Sequence, residues 1–367
     1  MNSLVFSNFL HRPARTVVSV LGIALGVLLI VFTVGLANGS IRDRVDREGN
    51  VNAEIFFCPS GSICVLGKSA FALPVSQAGK IEKVEGVKTV VPIGQTTVDA
   101  LDSKTGERLI DGIDFEKYVS VVGLKIAEGR KFTDGADEAI IDTGFQSQKK
   151  LKIGDSVNMW ERNFKVVGTY TPAAGARVKV PLDTMQKQLG GEDKATGFLV
   201  KVEDGVTPEQ AAANINKAFP DSQIILTSDL EELYMSSIPA LGVFLNVIIG
   251  VAAAISALVI LLTMYTTVTE RTRQIGIMKS LGMSNPNIAW IITQEALLLS
   301  FAGIVAGIIL TVILRFVLAQ FITLTVELSP IVMGIVTVVG MIGGGLGGLY
   351  PALRAAKLDA VDALSYE

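Results

Sequence analysis

Four long apolar runs limit what this chain can fold into. Residues 17–37 (VVSVLGIALGVLLIVFTVGLA) and 240–264 carry no charge at all. A third run extends from about Pro286 to Leu318, and a fourth from Ile331 to about Leu349. At 1.5 Å per residue, each is long enough as a helix to cross a hydrocarbon layer of about 30 Å. Lipid offers the backbone no hydrogen bonds, so such a run must satisfy its own N–H and C=O groups as an α-helix. Half of the residues are hydrophobic and 18% are charged, against roughly a quarter in soluble domains. That excess is concentrated in the four runs. The first exceeds the ~7–15-residue core of a cleavable signal and is followed by other spans, so it reads as a retained helix.

The expected fold is therefore a membrane α-helical protein with four transmembrane helices and a large extracytoplasmic α+β domain inserted between helices 1 and 2. Residues 1–16 read as an interfacial elbow helix, with Leu4, Val5, Phe6, Phe9 and Leu10 on one face ahead of Pro13. The spans are expected at 17–38, 238–265, 286–318 and 331–350. Between them lie a domain at 39–237, a loop at 266–285, a short loop at 319–330 and a tail at 351–367. His11, Arg12 and Arg15, then Arg271, Arg273 and Lys279, then Arg354 and Lys357 fall on one side of four spans. The excess of basic residues makes that side the cytosol, with both termini in it. The net charge of −3 adds nothing to this assignment.

Arg42–Glu48 reads as a charged continuation of the first helix beyond the membrane. Strands are then expected at Ala53–Phe57, Val87–Val91, Thr96–Leu101, Glu138–Asp142, Ser156–Trp160, Phe164–Tyr170, Val178–Val180, Gly197–Val202 and Gln223–Leu226. Helices are expected at 76–85, closed by Gly86, and at Pro208–Ala218. The pattern suggests two subdomains, one inserted in the other. Gly22 with Gly26, Gly303 with Gly307, and Gly344 with Gly348 have the spacing of close helix contacts.

Several chemistries are excluded. The one histidine, His11, leaves the soluble region without a Ser/His/Asp triad, a Cys/His pair or a multi-histidine metal site. GSICVLGKS at 61–69 imitates a phosphate loop, but the Walker motif needs glycine at position 62, which is serine. No metal and no nucleic acid is expected. Cys58 and Cys64 form a disulfide if they face an oxidising compartment, and are otherwise two thiols.

The segment ERTRQIGIMKSLGMSNPNIAWIITQE, Glu270–Glu295, is a charged hinge between two spans, where a soluble partner can grip the protein. Its Glu270, Arg271 and Arg273 suit either a membrane anchor or a docking face. Ile275, Ile277, Met278 and Leu281 offer apolar contacts to a partner's groove or to the membrane surface. Gly276 permits close approach, and Gly282 suits a C-cap. Gln294 and Glu295 lie two to three turns into the third span. A carboxylate at that depth costs about 2–3 kcal/mol unless it is paired or near the interface.

ERTRQIGIMKSLGMS, the following QEALLLSFAGIVAG and the ending GGLGGLYPALRAAKLDAVDALSYE closely resemble the FtsX-like, or MacB-type, ABC transporter permeases. DEAIIDTGFQSQKKLKIGDSV, FKVVGTY and VKVPLDTMQ resemble that family's periplasmic core. The resemblance covers nearly the whole chain. It implies a permease in a bacterial or archaeal inner membrane, working as a homo- or heterodimer with a cytosolic ABC ATPase and in some systems a membrane-fusion protein. ATP and Mg would be bound by the ATPase, expected to be a separate chain, and no cofactor by this one. The family's coupling helix falls on Glu270–Gly282, so the resemblance gives Glu270, Arg271, Arg273, Gln274, Ile275, Gly276, Met278, Lys279 and Gly282 a role in ATPase coupling. Mechanotransmission is implied: ATP hydrolysis moves the extracytoplasmic domain to export or extract a lipoprotein, lipid, peptide or hydrophobic drug. The alternative is a non-transporting signalling subunit that switches an extracytoplasmic partner such as a cell-wall hydrolase. A membrane-anchored hydrolase lacks a recognisable nucleophile.

Overall fold

The computed structural model describes residues 13–99, 107–237, 239–319 and 326–357. The elbow reading falls mainly on residues 1–12, outside the described residues. Ala100, Leu101, residues 320–325 of the short loop and the tail from residue 358 lie outside them too. The chain divides into two units, Met1–Ser40 with Ile238–Glu367, and Ile41–Ser237.

The first long helix, α1, spans Pro13–Gly49. Its end belongs to the second unit, where Ile41 and Val45 pack against a core that includes Val51, Phe56, Tyr118 and Leu230. The unit's strands are β1 (Ile55–Cys58), β2 (Leu73–Pro74), β3 (Val87–Asp99), β4 (Glu107–Ile113), β5 (Lys125–Gly129), β6 (Glu138–Asp142), β7 (Ser156–Met159), β8 (Arg162–Thr171), β9 (Val178–Pro181), β10 (Lys194–Ala195), β11 (Gly197–Val202) and β12 (Gln223–Leu226). Interleaved helices are α2 (Ala78–Ile81), α3 (Phe115–Val122), α4 (Thr143–Lys149), α5 (Leu182–Leu189), α6 (Pro208–Ala218) and α7 (Leu230–Ser237). Ten strands make one mixed sheet in the order β12-β1-β11-β3-β4-β9-β6-β8-β5, with β7 paired to β8; β10 and β2 form a separate pair. The β4–β9 and β6–β8 pairs are parallel.

This sheet corrects the reading of two subdomains with separate strands at Val87–Val91 and Thr96–Leu101. β3 is a single strand of 13 residues. Its first half lies against β11 and its second half against β4, so the two strand groups share one strand. Pro92 sits within it opposite Phe198, because a proline's fixed φ suits an extended chain and costs one ladder donor. The helix expected at 76–85 shrinks to a 3-10 turn at Val75–Gln77 and the one-turn α2; Gly86 follows with φ +90°. Strands β4 and β5 and helices α3, α4 and α5 were not anticipated. α3 is nonetheless marked locally: the Asp114 side chain accepts from Lys117 N, and Gly123 closes the helix in the left-handed region. In β1, Ile55 and Phe57 enter one core while Phe56 and Cys58 enter another, as two-residue periodicity requires of a strand covered on both faces.

Ion pairs lie inside this domain. Lys179 Nζ meets Asp111 Oδ2 at 2.7 Å with neither side chain exposed, and Asp111 also accepts from Ala176 N at 2.8 Å and Gln95 Nε2 at 3.0 Å. Burial pushes the Lys179 amine down and the Tyr118 and Tyr170 phenols up. Both rings flank the ammonium, at 4.8 and 5.2 Å from their centroids. The end of α1 is fixed in the same way. Arg47 donates to Asp142 Oδ2 and to Gly175 O, each at 2.9 Å. Arg44 donates to the Tyr234 hydroxyl at 3.2 Å and to Val65 O at 3.1 Å.

The other unit contains α8 (Pro239–Glu270), α9 (Thr272–Ser280), α10 (Asn285–Ala319) and α11 (Pro330–Ala356). Among the described residues, α1, α8, α10 and α11 are the four helices long and apolar enough to cross a membrane. Three helices run well beyond the expected spans: α1 to Gly49, as the charged continuation over Arg42–Glu48 anticipates, α8 to Glu270, and α11 through Pro351 to Ala356. Pro351 breaks one helical bond at a cost of about 3 kcal/mol, offset by its burial beside Ala352 and Ala355. Glycine sets two of the helix approaches. A Cβ at Gly307 would lie 2.6 Å from Val27 Cβ and 2.8 Å from Ala24 O, and one at Gly347 would lie 2.6 Å from Ala257 O.

Two outcomes test the domain. Lys179→Met alone strands a buried carboxylate and should cost about 3–5 kcal/mol, whereas Lys179→Met with Asp111→Leu should recover most of the loss; the melting temperature of the full chain in detergent reads both. Arg130 holds the Glu138 carboxyl at about 2, below its ordinary 4.5, with Thr133 N as a further donor. A depressed carboxyl stabilises the fold above its ordinary value, and that contribution is lost as pH falls toward about 2. Glu138→Gln should therefore lower the melting temperature at pH ~7 and leave it unchanged at pH ~2.

Candidate coupling site

The helix is interrupted at Arg271. Helix α8 ends at Glu270, and α9 begins at Thr272 with Arg271 as its N-cap residue, whose backbone (φ −108°, ψ 16°) interrupts the helix. Ile275 N donates to Arg271 O at 3.0 Å, so the new helix starts from the carbonyl of the break. At the far end Gly282 takes φ +87°, and Met283 N reaches back to Met278 O at 3.1 Å, a six-residue closure that needs a left-handed residue before it. The C-cap reading of Gly282 agrees with this geometry. Ser284 O then accepts from Asn287 N and Ile288 N at 3.1 and 3.2 Å as α10 begins.

α9 has two unlike faces. Thr272, Ile275 and Gly276 are buried, and Ile275 belongs to the apolar cluster with Val268, Ile288, Ile292 and Ala296; Met278 packs against its edge. Ile275 and Met278 are thus committed within the chain, which removes two of the four apolar residues considered for an outside contact. The other two are open, Ile277 at 44% and Leu281 at 82% exposure. Arg273, Gln274, Ser280 and Gly282 are exposed with them, and so is Glu270.

The third span's carboxylate is paired. Arg271 Nη1 donates to Glu295 Oε1 at 2.9 Å, and Glu295 is only 7% exposed. This joins two residues that the sequence placed in separate groups, one as a coupling residue and one as an intramembrane polar residue. Gln294 is half-buried and is not part of the pair. At the other end of α9, Lys279 Nζ donates to Ala356 O at 3.0 Å, the last residue of α11, where a cation meets the negative end of a helix. Arg354 lies over the Tyr265 ring at 5.1 Å and donates to its hydroxyl at 3.2 Å, linking α11 to α8. Sequence reasoning missed Tyr265, Thr272 and the Lys279 contact. An aromatic hydroxyl one turn before a basic hinge was the only signal for the first.

In the other unit, Cys58 and Cys64 are disulfide-bonded with Cα atoms 5.5 Å apart, and Cys64 N points at Cys58 Sγ. Among the described residues, no group of three or more His, Cys, Asp or Glu side chains is placed to hold a metal ion.

Comparison with known proteins matches residues 16–218 to the MacB-like periplasmic core domain family and residues 246–360 to the FtsX-like permease C-terminal family. An ABC transporter permease of Bacillus subtilis, YknZ, is 26% identical over 99% of this chain and 98% of its own length. A permease of the same description from Methanocaldococcus jannaschii is 25% identical over 100% of this chain and 97% of its own. The macrolide export ATP-binding/permease protein MacB of Mannheimia succiniciproducens is 24% identical over 98% of this chain, which spans 60% of that longer protein. Among solved structures, the periplasmic region of MacB from Actinobacillus actinomycetemcomitans covers 52% of this chain at 16% identity and a TM-score of 0.37.

The disulfide has a direct check. Intact protein should take up no thiol-alkylating reagent when unfolded without reductant, and one adduct on each of Cys58 and Cys64 after reduction, read by mass spectrometry.

Proposed function

The chain belongs to the ABC transporter permeases of the MacB and FtsX type, and on that premise we propose that α9 is the docking helix for a cytosolic ABC ATPase carried on a separate chain. The observation behind this reading is the division of α9. One face is packed into the chain's own helices, while Arg273, Gln274, Ile277 and Leu281 remain exposed at a break between two membrane-length helices. An exposed face that mixes a fixed cation with two aliphatic side chains suits an apolar groove rimmed by carboxylates. The basic residues of this hinge put it, and both termini, in the cytosol. The domain at Ile41–Ser237 is then extracytoplasmic, where the Cys58–Cys64 bond is stable.

Two copies of the chain would act with two copies of the ATPase. The four spans line up few polar side chains, which suits motion of the domain better than passage of a hydrophilic solute through the helices. The transported or extracted substrate is then an envelope molecule: a lipoprotein, lipid, peptide or hydrophobic drug. Switching of an extracytoplasmic partner has no structural observation of its own in its favour.

Arg273→Glu combined with Leu281→Ala changes only exposed positions. It should reduce co-purification of the partner ATPase about tenfold, which corresponds to about 1.4 kcal/mol, while the melting temperature of the permease stays unchanged. Undiminished ATPase binding by this variant would refute the docking role.

A further inference from the structure

α9 is fastened at both ends to different long helices. At its start Arg271 meets Glu295 on α10 at 2.9 Å, and at its last turn Lys279 meets the terminal carbonyl of α11, Ala356 O, at 3.0 Å. The two anchors are eight positions apart, a rise of about 12 Å. The pair at the start is chemically unlike its surroundings. Glu295 shares its helix with Ile288, Ile292, Ala296 and Leu299, all buried in one apolar cluster. A carboxylate there costs about 2–3 kcal/mol to insert. Two apolar side chains of similar volume would hold the helices together equally well or better. What the charges add is register. Apolar surfaces can slide over one another at small cost, but Arg271 and Glu295 keep their bond in only one placement of α9 against α10.

We propose that Glu295 is a positioning residue: through Arg271 it ties any displacement of α9 to α10, so that a load on the docking helix becomes movement of the third span. The inference rests on the docking reading above and adds the route by which docking is transmitted. It also distinguishes the two anchors. Lys279 meets a main-chain carbonyl at a helix end, where the backbone acceptor remains whatever side chain is present. Arg271 meets a side chain that a substitution can neutralise. The ion pair is therefore the anchor at which transmission can be separated from docking.

The test uses the full chain co-expressed with its partner ATPase and reconstituted in lipid nanodiscs. It compares wild type with Glu295→Gln, with Arg271→Met/Glu295→Met, and with the exchange Arg271→Glu/Glu295→Arg. Three readouts are taken: ATPase retained on purification, melting temperature, and the permease-induced change in ATP hydrolysis relative to the ATPase alone. Glu295→Gln should retain the ATPase at the wild-type level and lose about tenfold of the induced change. The double methionine variant should melt at or above the wild-type temperature, keep the ATPase and remain uncoupled. A merely structural brace would instead recover fully in that variant. The exchange should restore the induced change to within about threefold of wild type. Full coupling in either Glu295→Gln or the double methionine variant overturns the proposal, as does an exchange that binds the ATPase and melts normally yet stays uncoupled. If the wild-type chain itself fails to retain the ATPase, the docking reading falls, which is distinguishable from all of these.

Discussion

Lys179 and Asp111 meet with no solvent contact, and Arg47 meets Asp142 almost as deeply. Charges taken this far from water cost several kcal/mol each unless they are paired and hydrogen-bonded. The domain therefore tolerates few departures from the geometry that pairs them. Asp111 is on β4, Lys179 on β9 and Asp142 on β6, three strands that lie side by side in the sheet. Arg47 comes from the end of α1, and Gly175 N returns to Arg47 O at 2.9 Å. The central strands and the entering helix are thus held in one register by charge, while the apolar clusters on either side supply most of the favourable burial. A greasy core alone would leave the helical segment at residues 41–49 free to rotate within the domain. The Arg47 fork does not.

The helical unit applies the same constraint with fewer charges. Close packing there comes from small residues, at Gly307 against Val27 and at Gly347 against Ala257. Such contacts resist separation and say little about sliding. Arg271 with Glu295 and Lys279 with Ala356 O supply the missing specificity, both at the end of the unit where α9 lies. Polar bonds thus fix placement at the end of α1 and at the turn around α9, as they do between the central strands.

Much of this was legible in the sequence where one principle acted alone. Length and apolarity defined four helices. The helix expected at Pro208–Ala218 is α6, and the structure closes its start with a capping box of Thr207 and Gln210. The failures occurred where long-range pairing outweighed a local signal. Pro92 looked like a strand end and became the middle of β3, because β11 on one edge and β4 on the other hold the strand in succession. Pro351 looked like a helix end and was carried through by burial. β4 was overlooked because ERLIDGI carries two acids and an arginine. Its Asp111 turned out to be the buried partner of Lys179, a fact that no window of neighbouring residues contains. Glu295 was noticed for its depth, and its partner lies 24 residues earlier.

The division of α9 also changes how its residues should be weighed. As a string, Glu270–Gly282 offered nine coupling candidates of similar standing. Folded, they separate by what they touch. Ile275, Gly276 and Met278 hold α9 to its own chain, and Arg271 and Lys279 fix its two ends. Arg273 and Gln274 remain exposed, joined by Ile277 and Leu281. A docking surface and a transmission device need opposite properties: the first must be free before its partner arrives, and the second must never let go. On a helix with 3.6 residues per turn, both fit within two and a half turns only if they occupy different faces. The observed burial follows that partition. Substitutions on the exposed face should therefore act on affinity, and substitutions at the fastened ends on what a bound partner can achieve.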